Sequence, residues 1–547
     1  MRLSSAPLPL LFLALACAHA APVTSPAAPP APATATAASP AAAQAEAAVA
    51  PIRQEVDALL REEASAIWKG WTSGGAIDLD PIHARHARLF TPETLAAVRA
   101  ARAATGGAEQ RALDYLARYL EGELLARATT AESERAAAAA AAATVSWEGK
   151  RIAASRVPGL LAGEPDPARR ATLEHLAAEA ARARAPLAEA WANAVRAQAG
   201  RMGHGDLPAL VAALRGAPPG ELAALADKTL TATDKLYRML LTDLAGRELK
   251  VPVERLRERD LPRLFRAARN ARAFPAARVL GHVSAAMSGL GFAVGEQRAL
   301  TVDGRADPRK DPRPLVMPVE VPGDVRVSFV PQGGSPELRA VLHELGVAQY
   351  LVHVQSPELE FRRLGPAALT EGYGQLFEWL TADPTWLVER AQLPLGHRDL
   401  AVRTELCERL RAVRGLAARV LVEVARASDP GGALAAARRI GERAFAHPVE
   451  ADEAALFLIE QDPLLSAAEE LRGSLLAAQL EGYLLRRAVD GPWWRSREAG
   501  AWLLDRWSVG ARLTPEELAR LTGHRALDAA GLVELVRSRA EAAGLRL

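Results

Sequence analysis

Ser335-Pro336-Glu337-Leu338-Arg339-Ala340-Val341-Leu342-His343-Glu344-Leu345-Gly346-Val347-Ala348-Gln349-Tyr350 is the stretch that decides how this chain reads. Leu338, Leu342 and Leu345 recur at helical spacing. Ser335 is placed to cap the first turn, and Pro336 suits the first helical position. Residues i and i+4 of a helix share one face. In the pattern His-Glu-x-x-His that face presents two imidazoles to one Zn²⁺, and the glutamate activates the metal's water. His343 and Glu344 fill the first two positions, but the i+4 residue is Val347. Valine has no lone pair, so one donor of the motif is missing.

Working outward, Pro314–Val321 and Asp324–Phe329 are β-branched runs bounded by Pro and Gly, and predict two short strands before the motif helix. Beyond it, Gly365-Pro366 opens a helix containing Leu369-Thr370-Glu371-Gly372-Tyr373-Gly374-Gln375. Glu371 lies 28 residues after His343, a spacing that suits two packed helices joined by the loop 354–365 and offers a further carboxylate ligand. His353 is a poor substitute for the missing imidazole, because it stands about 80° off the His343 face at helical geometry.

The 547 residues are 50% hydrophobic and 24% charged, enough to build a large core. Ala, Leu and Arg dominate, which favours helix. A net charge of +2, with arginines scattered among Glu and Asp, excludes a nucleic-acid binder and reads as solvated helix faces. At the N-terminus, Arg2 precedes the apolar run Leu8–Ala16, and Ala18-His19-Ala20 is a small-x-small cleavage site, so residues 1–20 read as an export signal. Ala14-Leu15-Ala16-Cys17 loosely resembles a bacterial lipoprotein box. That leaves two outcomes open: soluble export, or a signal ending at residue 16 with a lipid anchor on Cys17. Either puts the chain in the periplasm or envelope, touching a membrane only through that anchor. Residues 21–50, nearly all Ala, Pro, Thr and Ser, read as a disordered linker, and 51–547 as one domain. Cys407 is the only other cysteine, so there is no disulfide framework, and its helical setting makes it a buried thiol.

Helices are expected over 108–143, from Glu164 to about Arg201, and near 207–215, 219–247 and 260–292. Thr514-Pro515-Glu516-Glu517 is a capping box. His83 and His86 are spaced to share a metal, but a helix surface is the plainer reading; His204 reads as a loop histidine. Phosphate-binding glycine loops, Cys-x-x-Cys pairs and a Gly-x-Ser-x-Gly elbow are absent.

Several of these stretches resemble the angiotensin-converting-enzyme family of peptidyl dipeptidases and, more distantly, the related oligopeptidases. Asp324-Val325-Arg326-Val327 is similar to the family's Asp-Phe-Arg-Ile strand, and His343–Tyr350 to His-Glu-Met-Gly-His-Ile-Gln-Tyr. Glu371 falls where the family has its glutamate ligand. Ser496-Arg497-Glu498-Ala499-Gly500 and Leu521-Thr522-Gly523 resemble late family segments, and 164–250 resembles the helical region of the oligopeptidases.

The resemblance implies a mainly α, two-lobed zincin-like fold with a small β element before the metal helix and a central groove over the metal site. It assigns His343 and Glu371 as zinc ligands and Glu344 as general base. It also exposes departures. Val347 replaces the second histidine ligand, Arg313 stands where a substrate-binding histidine is expected in the groove, and Glu469-Glu470 lie near the expected transition-state tyrosine, for which Tyr483 is the nearest candidate. The leading expectation is an inactive or impaired exported peptidase homologue whose zinc is weak or absent and whose groove takes a peptide or protein partner. The alternatives are an active zinc peptidase with atypical ligation and a helical scaffold.

Overall fold

The computed structural model describes residues 40–266, 273–488 and 491–546. Cys17 and the export signal lie outside the described residues. The chain is mainly helical, as its composition leads one to expect. The first helix, Pro40–Ser73, starts inside the stretch read as linker and runs through Pro51 without a break. Val49 is fully buried and Arg53 reaches back to Glu46, so the end of that stretch has a partner surface and folds.

Three of the longer predicted helices are divided. The 108–143 segment becomes Gly107–Ala128 and Thr130–Ala142. The next becomes Pro167–Arg182 and Ala185–Arg201, broken just ahead of Pro186, which cannot donate to the preceding turn. Of 260–292, the described part holds Leu261–Leu264 and, after the extended Pro275, the 3-10 turn Ala276–Arg278 running into Val279–Leu290. A hairpin that the pattern did not announce, Thr144–Trp147 against Lys150–Ala153, turns at Glu148 and Gly149, both at positive φ.

The small β element is a three-stranded sheet. Asp324–Ser328 is central, with Leu315–Glu320 antiparallel on one side and Leu300–Asp303 parallel on the other. The third strand was not predicted; at four residues it is too short to show a period of two. Leu315, Met317 and Val319 pack with Ala64, Ile67 and Trp71 of the first helix, while Val316, Val325 and Val327 enter the main core. Alternation on the pleat thus buries the outer strand on both faces.

The motif helix, Ser335–His353, lies against this sheet and the helix Ala367–Glu378, which packs in turn on Ala467–Arg487. Glycines set the closeness of that stack. A Cβ on Gly346 would lie 2.7 Å from Phe377 and 3.0 Å from the Tyr373 carbonyl, and one on Gly473 would lie 2.5 Å from Cβ of Glu371. Only a missing side chain permits such an approach. Ser335 does not cap its helix. Gly334 takes that position at φ +96°, Ser335 donates its hydroxyl to buried Glu405, and Glu337 accepts the amides of Gln332 and Gly333. A buried carboxylate is the stronger partner for a hydroxyl.

Candidate functional site

His343 projects from the middle of the motif helix between two carboxylates. Its Nδ1 lies 2.6 Å from Oε1 of Glu378, and its Nε2 3.8 Å from Oε2 of Glu371. Both carboxylates come from the Ala367–Glu378 helix, seven residues and hence two turns apart, so they share a face. Gly374, between them, leaves the space the imidazole fills: a Cβ there would sit 2.7 Å from Nε2. Glu378 is fixed from behind by Arg409 of the long helix Leu395–Ser428, whose Nη1 is 3.1 Å from Oε2 and whose guanidinium lies 4.8 Å over the Trp379 ring.

The electrostatics follow from this arrangement. Burial opposes charging His343, but the Glu378 hydrogen bond and the charges of Glu371, Glu378 and Glu344 outweigh it and raise its pKa to about 10. Burial also opposes ionising Glu378, yet His343, Arg409 and Arg339 hold it down at about 2. His343 and Glu378 are therefore an imidazolium–carboxylate pair at neutral pH. Glu344 faces elsewhere. Its Oε2 accepts the Val316 amide of the outer strand at 2.7 Å, and burial pushes its pKa up.

Does this set fit zinc? A carboxylate on Nδ1 with Nε2 free is the usual way to orient a histidine ligand. His343 Nε2 and Glu371 Oε2 are spaced for two metal bonds of about 2.0–2.2 Å. The third donor is missing. Val347 is buried at 6% exposure and lines a cavity of about 130 Å³ whose wall mixes aliphatic Val316, Val321 and Leu351 with Glu63, Glu123 and Arg363. Among the described residues no further His, Cys, Asp or Glu closes a three-donor set around His343 and Glu371.

The other predicted residues are dispersed. Arg313 is exposed, paired with Asp311 at 2.7 Å and stacked 4.6 Å over Trp71, away from the His343 cluster. His353 packs its ring on Phe292 and Trp507, with Nδ1 on the Gln349 carbonyl. Tyr483 packs on Trp502, and its hydroxyl accepts from Arg487. Glu469 is buried against Arg472 at 2.7 Å. His83, His86 and His204 each meet glutamates, Glu63, Glu55 and Glu121 respectively. Cys407 is fully buried.

Two further cavities lie on the other side of Glu470 and the Leu395–Ser428 helix, and neither is lined by a residue of the cluster. One of about 250 Å³ is walled by Arg419, Gln461, Asp462 and Glu470. Desolvation in that wall, with the charge of Glu371, pushes Glu470 up to about 6. This cavity shares Leu416 and Arg419 with a larger one of about 750 Å³, bordered by Arg259, Arg411, Phe445 and Phe457.

Sequence reasoning missed Glu378 and Arg409. Glu378 was within reach, since it repeats the Glu371 face two turns on. Arg409 was not, because only helix packing brings it there. Comparison with protein-family models and with curated proteins gave no match. The family resemblance therefore stands on the motif residues and their spacing.

Proposed function

We propose that this chain is an exported, peptidase-like protein that does not hydrolyse peptides at the His343 site and instead binds a peptide or a protein segment in its cavities. The observation that carries the reading is Val347. The position that should offer the second imidazole is an aliphatic wall, and a three-donor catalytic site cannot tolerate that loss. Two further features support it. Glu344, the residue the motif would use as base, spends its carboxylate on the Val316 amide. His343 is neutralised by Glu378 within the protein. The cavities offer apolar walls and charged side chains of both signs, which suits a segment with mixed side chains. A two-lobed zincin-like frame is the architecture this reading assumes.

The deciding experiment pairs binding with cleavage. The mature protein is screened against a fluorescent peptide library with added Zn²⁺. Saturable binding without turnover is the expected result. Turnover that disappears in Glu344→Ala establishes the active peptidase instead, and neither binding nor turnover leaves the scaffold.

A further inference from the structure

Away from His343, three side chains from separate segments converge beside the 750 Å³ cavity, whose lining includes two of them, Glu258 and Glu453. Glu258 comes from the short turn Glu258–Asp260, His447 from the loop after helix Ala433–Phe445, and Glu453 from the first turn of helix Ala451–Ile459. One donor atom from each lies within 4.8 Å of the other two.

Each residue is held at one polar atom and free at the other. His447 Nδ1 is 3.0 Å from the Pro448 carbonyl, which places the ring proton there and leaves the Nε2 lone pair facing inward. Oε1 of Glu258 is taken by Arg411, and Oε2 of Glu453 accepts the Glu450 amide. The remaining atoms, His447 Nε2, Glu258 Oε2 and Glu453 Oε1, are buried and have no hydrogen-bond partner. His447 is 3% exposed and Glu453 6%, so water does not readily solvate them. Three buried polar atoms left unmatched at one point are costly unless something binds there.

A protonated His447 does not satisfy them. Charged N–H···O bonds run to about 2.7–2.9 Å, whereas Nε2 stands 3.4 Å from Glu258 Oε2. That separation instead suits two ligands of a common ion at about 2.0–2.2 Å each. The nearby cations are mostly engaged elsewhere: Arg257 and Arg259 bind Glu450, Arg259 also binds Glu174, and Arg411 holds the outer oxygen of Glu258. Two carboxylates and one neutral imidazole balance a divalent charge.

We propose that Glu258, His447 and Glu453 form a binding site for a zinc-type divalent cation. Glu258 and Glu453 also line the 750 Å³ cavity, from which an oxygen ligand can reach the ion and complete the coordination. The site is independent of the His343 motif and of the reading given above.

The test is titration of chelator-treated, full mature chain with Co²⁺, followed by visible absorption, and then displacement by Zn²⁺. One Co²⁺ per chain is expected. Glu453→Gln and His447→Gln should each weaken binding by at least about tenfold, while Glu371→Gln leaves it unchanged. Glu258→Gln, at a partly exposed position, is the variant least exposed to a folding defect and should weaken binding similarly. Circular dichroism checks that each variant is folded. No binding by the parent chain, or binding lost in Glu371→Gln but kept in Glu258→Gln and Glu453→Gln, overturns the proposal.

Discussion

Glu344 Oε2 accepts the main-chain amide of Val316 at 2.7 Å, tying the middle of the motif helix to the outer strand of the sheet. The residue that a metal site would use on water is here a bracket between two elements. Glu344→Ala should cost about 1–2 kcal/mol by stranding that amide, whereas Glu344→Gln, whose carbonyl still accepts, should stay close to the parent. Urea midpoints compare the two. Under the proposed function neither change alters peptide affinity.

Val347→His supplies the absent donor. Without metal it should destabilise by about 1–3 kcal/mol, since a larger polar imidazole replaces a buried valine. With Zn²⁺ the melting temperature should recover, and the chain should bind one more equivalent than its parent. A variant that gains no zinc would mean that Val347 is not aimed at the His343–Glu371 gap.

Gly473 and Gly482 lie on one helix and should respond in opposite ways. Gly473→Ala places a Cβ 2.5 Å from Glu371 Cβ and 3.1 Å from the Gly372 nitrogen, and should cost about 1–3 kcal/mol. Gly482→Ala meets only the tip of Arg486 at 3.5 Å and should stabilise by about 0.5–1 kcal/mol through helix propensity. Thermal melts separate them.

Removing Glu378 by Glu378→Ala takes the acceptor from His343 and Arg409 together. Both lose a buried carboxylate, although Arg409 keeps the Glu378 carbonyl and the Thr381 hydroxyl, so a loss of about 3 kcal/mol is expected. Equilibrium unfolding in urea measures it.

Glu123, in the wall of the Val347 cavity, gives a pH-dependent case. Burial, with the charge of Glu63, pushes its pKa up to about 7, from an ordinary 4.5. A raised carboxyl favours the fold while protonated. That contribution is complete below pH 4.5 and is lost as pH rises through 7. Glu123→Gln should therefore match the parent at pH 4 and exceed it by about 3 kcal/mol at pH 8. Stability curves at the two pH values check the sign.

Local patterns in the sequence determined the helical class, the strand pair before the motif helix, the Thr514–Glu517 capping box, and the buried state of Cys407. They also placed His343 and Glu371 side by side, because a helical repeat and a fixed spacing are short-range quantities. The same patterns ran helices through 183–184 and across Pro275, and gave Ser335 a cap that a buried glutamate claims instead. Tertiary structure alone decided the rest. It set Glu378 and Arg409 behind His343, buried Val347 in the wall of a cavity, and brought Glu258, His447 and Glu453 together from positions almost two hundred residues apart in the chain. Such contacts depend on how helices cross, and helix crossing is governed by glycine gaps and core shape, which a single sequence does not display.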